Sequence, residues 1–202
     1  MSLLFFKRVL ANPTRIGYIV PSSPFLIRRT AGLVDFSQDL TLVELGPGEG
    51  CHTRGIVRRM SAGSRLVLIE LDPHLAEHLQ QQFSHDRRVE VVQADAMALS
   101  ETLTALGVGD PDYIISGIPF TIMDGSLRER MLANIALSMG EQTRLILYQA
   151  STRIARHRLF ELVRSQHCLF NVPPLHVMEL RKTSPDRPAL TRGSRTATLA
   201  RE

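Results

Sequence analysis

From residue 41 the sequence alternates between short apolar runs and stretches of helical periodicity. TLVELG leads into CHTRGIVRRM, RLVLIE into PHLAEHLQQQF, VEVVQAD into MALSETLTAL, DYIIS into SLRERMLANIALSM, and TRLILYQ into STRIARHRLFELVRSQ. Ser151 is placed to cap the last of these helices. Apolar runs this short and this continuous read as strands covered on both faces. Their repeated alternation with helices builds an open parallel sheet between two helical layers. Two more apolar segments flank Pro173-Pro174 in HCLFNVPPLHVMELRK and read as an antiparallel pair closing the sheet. The expected fold is α/β: a Rossmann-like, mostly parallel seven-stranded sheet with a C-terminal antiparallel strand.

At 202 residues the chain is sized for one well-packed domain. Three parts are expected: an amphipathic, lid-like segment over residues 1–35, the sheet domain over 36–182, and a basic tail over 183–202. The tail is rich in Pro, Arg, Ser and Thr, a composition that cannot build a core. Residues 1–34 carry five basic and no acidic residues, and residues 181–202 carry six basic and two acidic. The net charge of +4 therefore leaves a middle near −5 between two basic ends, which favours an anionic partner such as a lipid surface or a nucleic acid. MSLLFFKRVLANP places its basic pair after a short apolar run, unlike a signal peptide, and no apolar run is long enough to span a bilayer. Cys51 and Cys168 lack any C-x-x-C spacing, which favours a reducing compartment.

The chemistry is concentrated where the first strand ends. VELGPGEG, Val43 to Gly50, has Gly46, Gly48 and Gly50 at a strand-to-helix turn, a position where backbone can approach a ligand closely. Three acids then follow at successive strand ends. Glu44 precedes the first glycine, where a carboxylate can answer an ammonium. Glu70 ends the second strand and can accept from both hydroxyls of a ribose. Asp95 ends the third, in QADAM, and suits an adenine amino group. A pyrophosphate would want free helix N-terminal amides rather than carboxylates. The set therefore favours S-adenosylmethionine (SAM), with Pro47, Leu71, Ala96 and Ser116 as neighbouring contacts. HLAEH, His74 to His78, has a zinc-peptidase spacing but no third ligand nearby, and no metal is expected.

The glycine turn with its three acids resembles the class I SAM-dependent methyltransferases over roughly residues 40–182. The acceptor is expected at Ser116 to Phe120, SGIPF, which offers no nucleophile, ligand or base. An amine acceptor needs none. Two amine-methylating families have a related loop. The rRNA adenine dimethyltransferases carry N-L-P-Y/F, where this chain has Gly117-Ile118-Pro119-Phe120 and so lacks the Asn. Their C-terminal helical domain has no counterpart before this chain ends. The chain more closely resembles the bacterial phospholipid N-methyltransferases. Their G-A-I-V-P-S-S corresponds to GYIVPSS, their V-I-E-L-G-P-G-T-G to LVELGPGEG, their S-G-L-P-L to SGIPF, and their N-L-P-P to Asn171–Pro174. Glu49 replaces their Thr, and Tyr148-Gln149 only loosely matches their run after the fifth strand.

That resemblance implies stepwise N-methylation of phosphatidylethanolamine or a related amino lipid, with SAM converted to S-adenosylhomocysteine. Nucleic acid ranks below lipid as the partner. It also implies a cytoplasmic protein held peripherally on the inner face of the membrane, with LLFFKRVL lying on an anionic lipid surface. Tyr18, Ser116, Ile118, Phe120 and Tyr148 are the expected acceptor-site residues, the aromatic faces receiving methylated ammonium groups. Arg153, Arg156 and Arg158 are in reach of a lipid phosphate or form a solvated face.

Overall fold

A computed structural model of the chain describes residues 22–184. The lid tyrosine Tyr18, the LLFFKRVL segment and the tail from residue 185 lie outside the described residues.

Among the described residues, seven strands form one sheet: β1 (Thr41–Leu45), β2 (Arg65–Glu70), β3 (Val89–Gln93), β4 (Tyr113–Ser116), β5 (Arg144–Gln149), β6 (Phe160–Cys168) and β7 (Leu175–Lys182). Their order is β3-β2-β1-β4-β5-β7-β6. The first five pair in parallel, and β7 runs antiparallel to both β5 and β6. This is the expected sheet, with the order reversing between β1 and β4. Ligands of such sheets bind at that reversal, off the carboxyl ends of the strands.

The described residues also form the helices α1 (Pro24–Ala31), α2 (Cys51–Val57), α3 (Pro73–Phe83), α4 (Leu99–Ala105) and α5 (Gly125–Leu137). Side chains alternate across each strand, so neighbouring residues feed opposite cores. Val43, Val67, Ile114 and Leu145 meet Leu99 of α4 and Leu132 and Ile135 of α5 on one face. Leu42, Leu66, Ile115 and Ile146 meet Leu26 of α1, Ile56 of α2 and Leu79 of α3 on the other. Truncating any of the leucines or isoleucines to Ala costs about 2–5 kcal/mol.

Two expectations change. STRIARHRLFELVRSQ is not a helix. Ser151 does cap a helical turn, its Oγ accepting from the Arg153 amide at 3.3 Å, but the turn is a 3₁₀ segment, Thr152–Arg156. The chain then runs as β6, at the edge of the sheet. A register shift between Leu162 and Arg164 interrupts the two-residue alternation, and the strand is largely solvated. Leu159, Leu162 and Val163 thereby acquire helical spacing without a helix. The second change concerns the boundary at residue 35. Leu26, Ala31, Leu33 and Val34 are buried in the core, so the packed domain begins by α1.

The start of α1 is tied to the far end of the chain. Pro24 opens the helix, and the Ser23 Oγ accepts from the Leu26 amide at 3.2 Å. The Ser23 amide donates to Asn171 Oδ1 at 3.0 Å, and Asn171 Nδ2 donates to the Pro173 carbonyl at 2.9 Å, beside the cis Val172–Pro173 bond. Ser23 and NVPP, 148 residues apart at this contact, are thus one structural unit. Asn171→Ala removes both bonds at a buried site. It is expected to lower unfolding stability by about 1–3 kcal/mol in urea titration, and a loss below about 0.5 kcal/mol would show that the two segments are not coupled.

Candidate active site

The turn after β1 is built on left-handed backbone. Gly46, Gly48 and Gly50 have φ of 66°, 59° and 73°. A side chain at Gly46 would press on Ile118 Cγ1 at 3.3 Å, whereas a Cβ at Gly48 would meet nothing within 4 Å. Open space at a left-handed glycine leaves backbone bare to a ligand. The turn is pinned from β2: the Gly46 amide donates to the Ile69 carbonyl at 2.9 Å. The buried Glu70 side chain accepts the Gly48 amide on one oxygen and the Asp72 amide on the other, both at 3.0 Å. Burial raises the Glu70 pKa, and these amides oppose the rise. Each carboxylate oxygen keeps a second lone pair.

Gly46, Glu70, Leu71, Asp95, Ala96 and Ile118 line one cleft. Asp95 stands at its rim and accepts the Met97 amide at 2.9 Å, capping the 3₁₀ turn Ala96–Ala98. Met97, Met123, Leu127 and Met131 complete the wall. The sequence motifs point to none of these four. Leu127 and Met131 lie four apart on α5 and share one helical face, a spacing that serves equally well for core. A slot of thioethers and aliphatic carbons with acids on its rim suits a flat purine and its ribose.

Beyond the cleft, Glu44 is buried on β1. Its Oε2 accepts from Thr53 Oγ1 of α2 at 2.7 Å, and Oε1 has no partner among the described residues. Burial pushes its pKa up to about 7. Next to Thr53, the His52 ring is buried with both nitrogens unpartnered among the described residues, and burial pushes it down to about 4. The ring stacks on Tyr148 of β5, centroids 4.2 Å apart and planes 14° apart. Burial raises the Tyr148 phenol as well. At pH 7 imidazole and phenol are both neutral.

The SGIPF loop follows β4. Ser116 is buried, and its Oγ accepts the Ile118 amide at 3.2 Å, so it shapes the loop. The Ile118 carbonyl accepts from the Phe120 amide at 2.9 Å and from Gln149 Nε2 at 2.7 Å. Gln149 Oε1 is buried with no partner among the described residues. Gly117 has a specific cause: a Cβ there would collide with the Tyr148 phenol oxygen. Phe120 corrects an expectation. Its ring is fully buried in the core, because the loop turns inward into a 3₁₀ turn, Phe120–Ile122, and it offers no face to an acceptor. Arg153 and Arg156 line a separate cleft with Arg128 and the His157–Glu129 pair, which is 3.0 Å apart; Arg158 is not in that lining.

The model of the family described as ribosomal RNA adenine dimethylase matches residues 16–137. The chain belongs to that family. The sequence motifs alone rank these rRNA enzymes behind the phospholipid N-methyltransferases. Among curated relatives, an ornithine lipid N-methyltransferase of Singulisphaera acidiphila is 32% identical over 116 residues, 57% of this chain and 60% of that protein. An rRNA adenine N-6-methyltransferase of Aeromicrobium erythreum is 37% identical over 99 residues, 49% of this chain and 26% of that protein. The chain thus spans less than two thirds of either relative's length. Among solved structures, the N-methyltransferase NodS of Bradyrhizobium japonicum, in complex with S-adenosylhomocysteine, superposes with a TM-score of 0.63 at 15% identity, covering 90% of this chain and 98% of that one. The 23S rRNA methyltransferase ErmE gives 0.57 at 21%, covering 80% and 69%. The domain is that of a SAM-dependent class I methyltransferase, and the bare glycine turn, acid rim and unpartnered Glu44 oxygen fit that cofactor.

Glu44 also makes a stability prediction. Its folded pKa, about 7, lies above the ordinary 4.5, so the folded protein binds the extra proton between those values. The group favours folding below pH 4.5, and that advantage is lost as pH rises through 7. Without ligand, its contribution is expected to fall by roughly 1–3 kcal/mol between pH 5 and 8. Glu44→Gln should flatten that part of the curve, and equal slopes for the two proteins would refute the assignment.

Proposed function

We propose that the chain transfers methyl groups from SAM to the amine of an amino lipid, phosphatidylethanolamine or an ornithine lipid, at a membrane surface. The observation that carries this reading is the seating of the Tyr148 phenol against Gly117. Gly117 occupies the register of the Asn in the N-L-P-Y/F loop of the rRNA enzymes. A side chain at 117 and Tyr148 in its present place exclude each other. That exclusion supports an acceptor other than the adenine of the rRNA enzymes. The similarity to an ornithine lipid N-methyltransferase supports the same direction.

SAM supplies an electrophilic methyl on a sulfonium and leaves as S-adenosylhomocysteine. The protein's part is placement, which converts an encounter into a near-unimolecular event. Glu44 answers the ammonium of the cofactor's amino-acid end, helped by Thr53. Glu70 receives the ribose hydroxyls on its remaining lone pairs, and Asp95 the adenine amino group. Gly46, Pro47, Gly48, Leu71 and Ala96 supply the close backbone and apolar surface, and Ile118 separates the cleft from the acceptor side. The Tyr148 oxygen and the free Gln149 Oε1 orient the amine nitrogen, with Ser116 and Gln149 Nε2 holding the loop. The N-terminal segment, with Tyr18, would serve as lid and lipid contact. A second reading, N6-methylation of adenine in RNA, is favoured by the family match over residues 16–137.

Protein, labelled SAM, and liposomes of each lipid or unmethylated ribosomal RNA would separate the two. Label is expected in a lipid, and label confined to RNA would overturn the proposal. Tyr148→Phe is expected to lower lipid turnover about tenfold or more with SAM affinity unchanged. Equal turnover would remove the phenol from the acceptor site.

A further inference from the structure

The turn between β6 and β7 carries large apolar side chains into solvent. Leu169 is 64% exposed, Phe170 70% and Val172 74%. Phe25, at the start of α1, is 50% exposed and lies ring to ring with Phe170, centroids 5.2 Å apart. Single exposed hydrophobics are ordinary, but four gathered at one tip form a contact surface. Asn171 holds the tip to α1 through the Ser23 amide, so the patch is set in a fixed shape.

Its position is informative. β7 runs antiparallel to β5, and His176 pairs with Gln149, the last residue of β5. Residues 169–174 therefore project from the same edge of the sheet as the glycine turn and the SGIPF loop. Its charge is informative too. No acidic residue lies between Glu161 and Glu179, and none between residues 22 and 34. Arg28 and Arg29 are exposed, three and four residues from Phe25, on the same side of α1 and one turn behind it. Arg29 Nη1 also donates to Gln166 Oε1 of β6 at 3.3 Å, which joins the arginines to the base of the hairpin.

We propose that the β6–β7 tip and Phe25 insert into the interface of an anionic phospholipid bilayer, with Arg28 and Arg29 as a basic collar at headgroup level. Apolar groups a helical turn in front of basic ones match the order of acyl boundary and phosphate layer. Docked in this way, the edge of the sheet that carries the cleft faces the headgroups. The inference rests on the amino-lipid reading for its purpose and on the patch for its substance. Phe25, Phe170 and the arginines would serve a nucleic acid as well, but Leu169 and Val172 have no part in base stacking and gain only by insertion into lipid.

The chain contains no tryptophan, so Phe170→Trp places a single reporter on the tip. With the full chain, emission is expected to shift to the blue on adding phosphatidylethanolamine–phosphatidylglycerol vesicles, and brominated lipid should quench it. Phe170→Glu with Val172→Glu is expected to weaken co-sedimentation with those vesicles about tenfold or more while SAM binding stays unchanged. Several results overturn the proposal: co-sedimentation with no shift of the reporter's emission, a shift with RNA alone, or emission already blue without vesicles, whether covered by residues 1–21 or by a second copy. Vesicle-dependent insertion without methyl transfer to any lipid would sustain the docking surface and sink the amino-lipid reading instead.

Discussion

A buried carboxylate at the end of one strand holds the turn that follows another. Glu70 accepts the Gly48 amide, and the Gly46 amide reaches the neighbouring Ile69 carbonyl. Three left-handed glycines in five residues would otherwise be a costly segment to order, since glycine loses more freedom on folding than any other residue. Anchored from β2, the turn keeps its shape and α2 starts directly at Cys51. The same carboxylate lines the cleft, so the support of the turn and the rim of the binding slot are one side chain. Removing it would loosen the turn and strip the rim together.

On the acceptor side, the loop that lacks catalytic chemistry is defined by what surrounds it. Ser116 and Gln149 Nε2 use their polar atoms to fix the backbone at Ile118, and Tyr148 fills the space that a side chain at Gly117 would take. His52 buttresses the phenol by stacking, as a neutral ring. On the proposed reading, such a site selects by position and desolvation, and water takes the proton that the ammonium form of the acceptor must lose.

Much of this was legible in the sequence because each feature had a local cause. Strands buried on both faces write continuous apolar runs, and Glu44, Glu70 and Asp95 each stand near the end of such a run. The failures share a different origin. β6 is an edge strand with a register shift, so neither periodicity nor burial marks it, and its leucines fall into helical spacing. The methionine wall of the cleft comes from three separate segments, and only the folded chain brings them together. Phe120 reads as an aromatic for the acceptor because it ends the loop motif, yet the 3₁₀ turn that follows carries it inward. The Gly117–Tyr148 exclusion joins two strands and could not be read from either alone.

The electrostatics of the site give these parts a common direction. Ionising Glu44 leaves a buried charge with one oxygen unpartnered among the described residues, an expensive state unless a cation is beside it. His52 cannot provide that cation, since burial holds its ring neutral, and the Tyr148 phenol has no cationic form. On the proposed reading, the ligand must bring it, and SAM carries a positive charge at both its ammonium and its sulfonium. Glu44, with a pKa of about 7, is shared between its two protonation states near neutral pH in the free protein, and a bound cation would favour the ionised one. The neutral phenol of Tyr148 lies near that carboxyl group. It can donate a hydrogen bond to, or accept one from, an incoming amine without adding a charge that would have to be desolvated. That ordering, charge pairing at the cofactor first and neutral orientation at the acceptor second, follows from which groups are buried and which are left without partners.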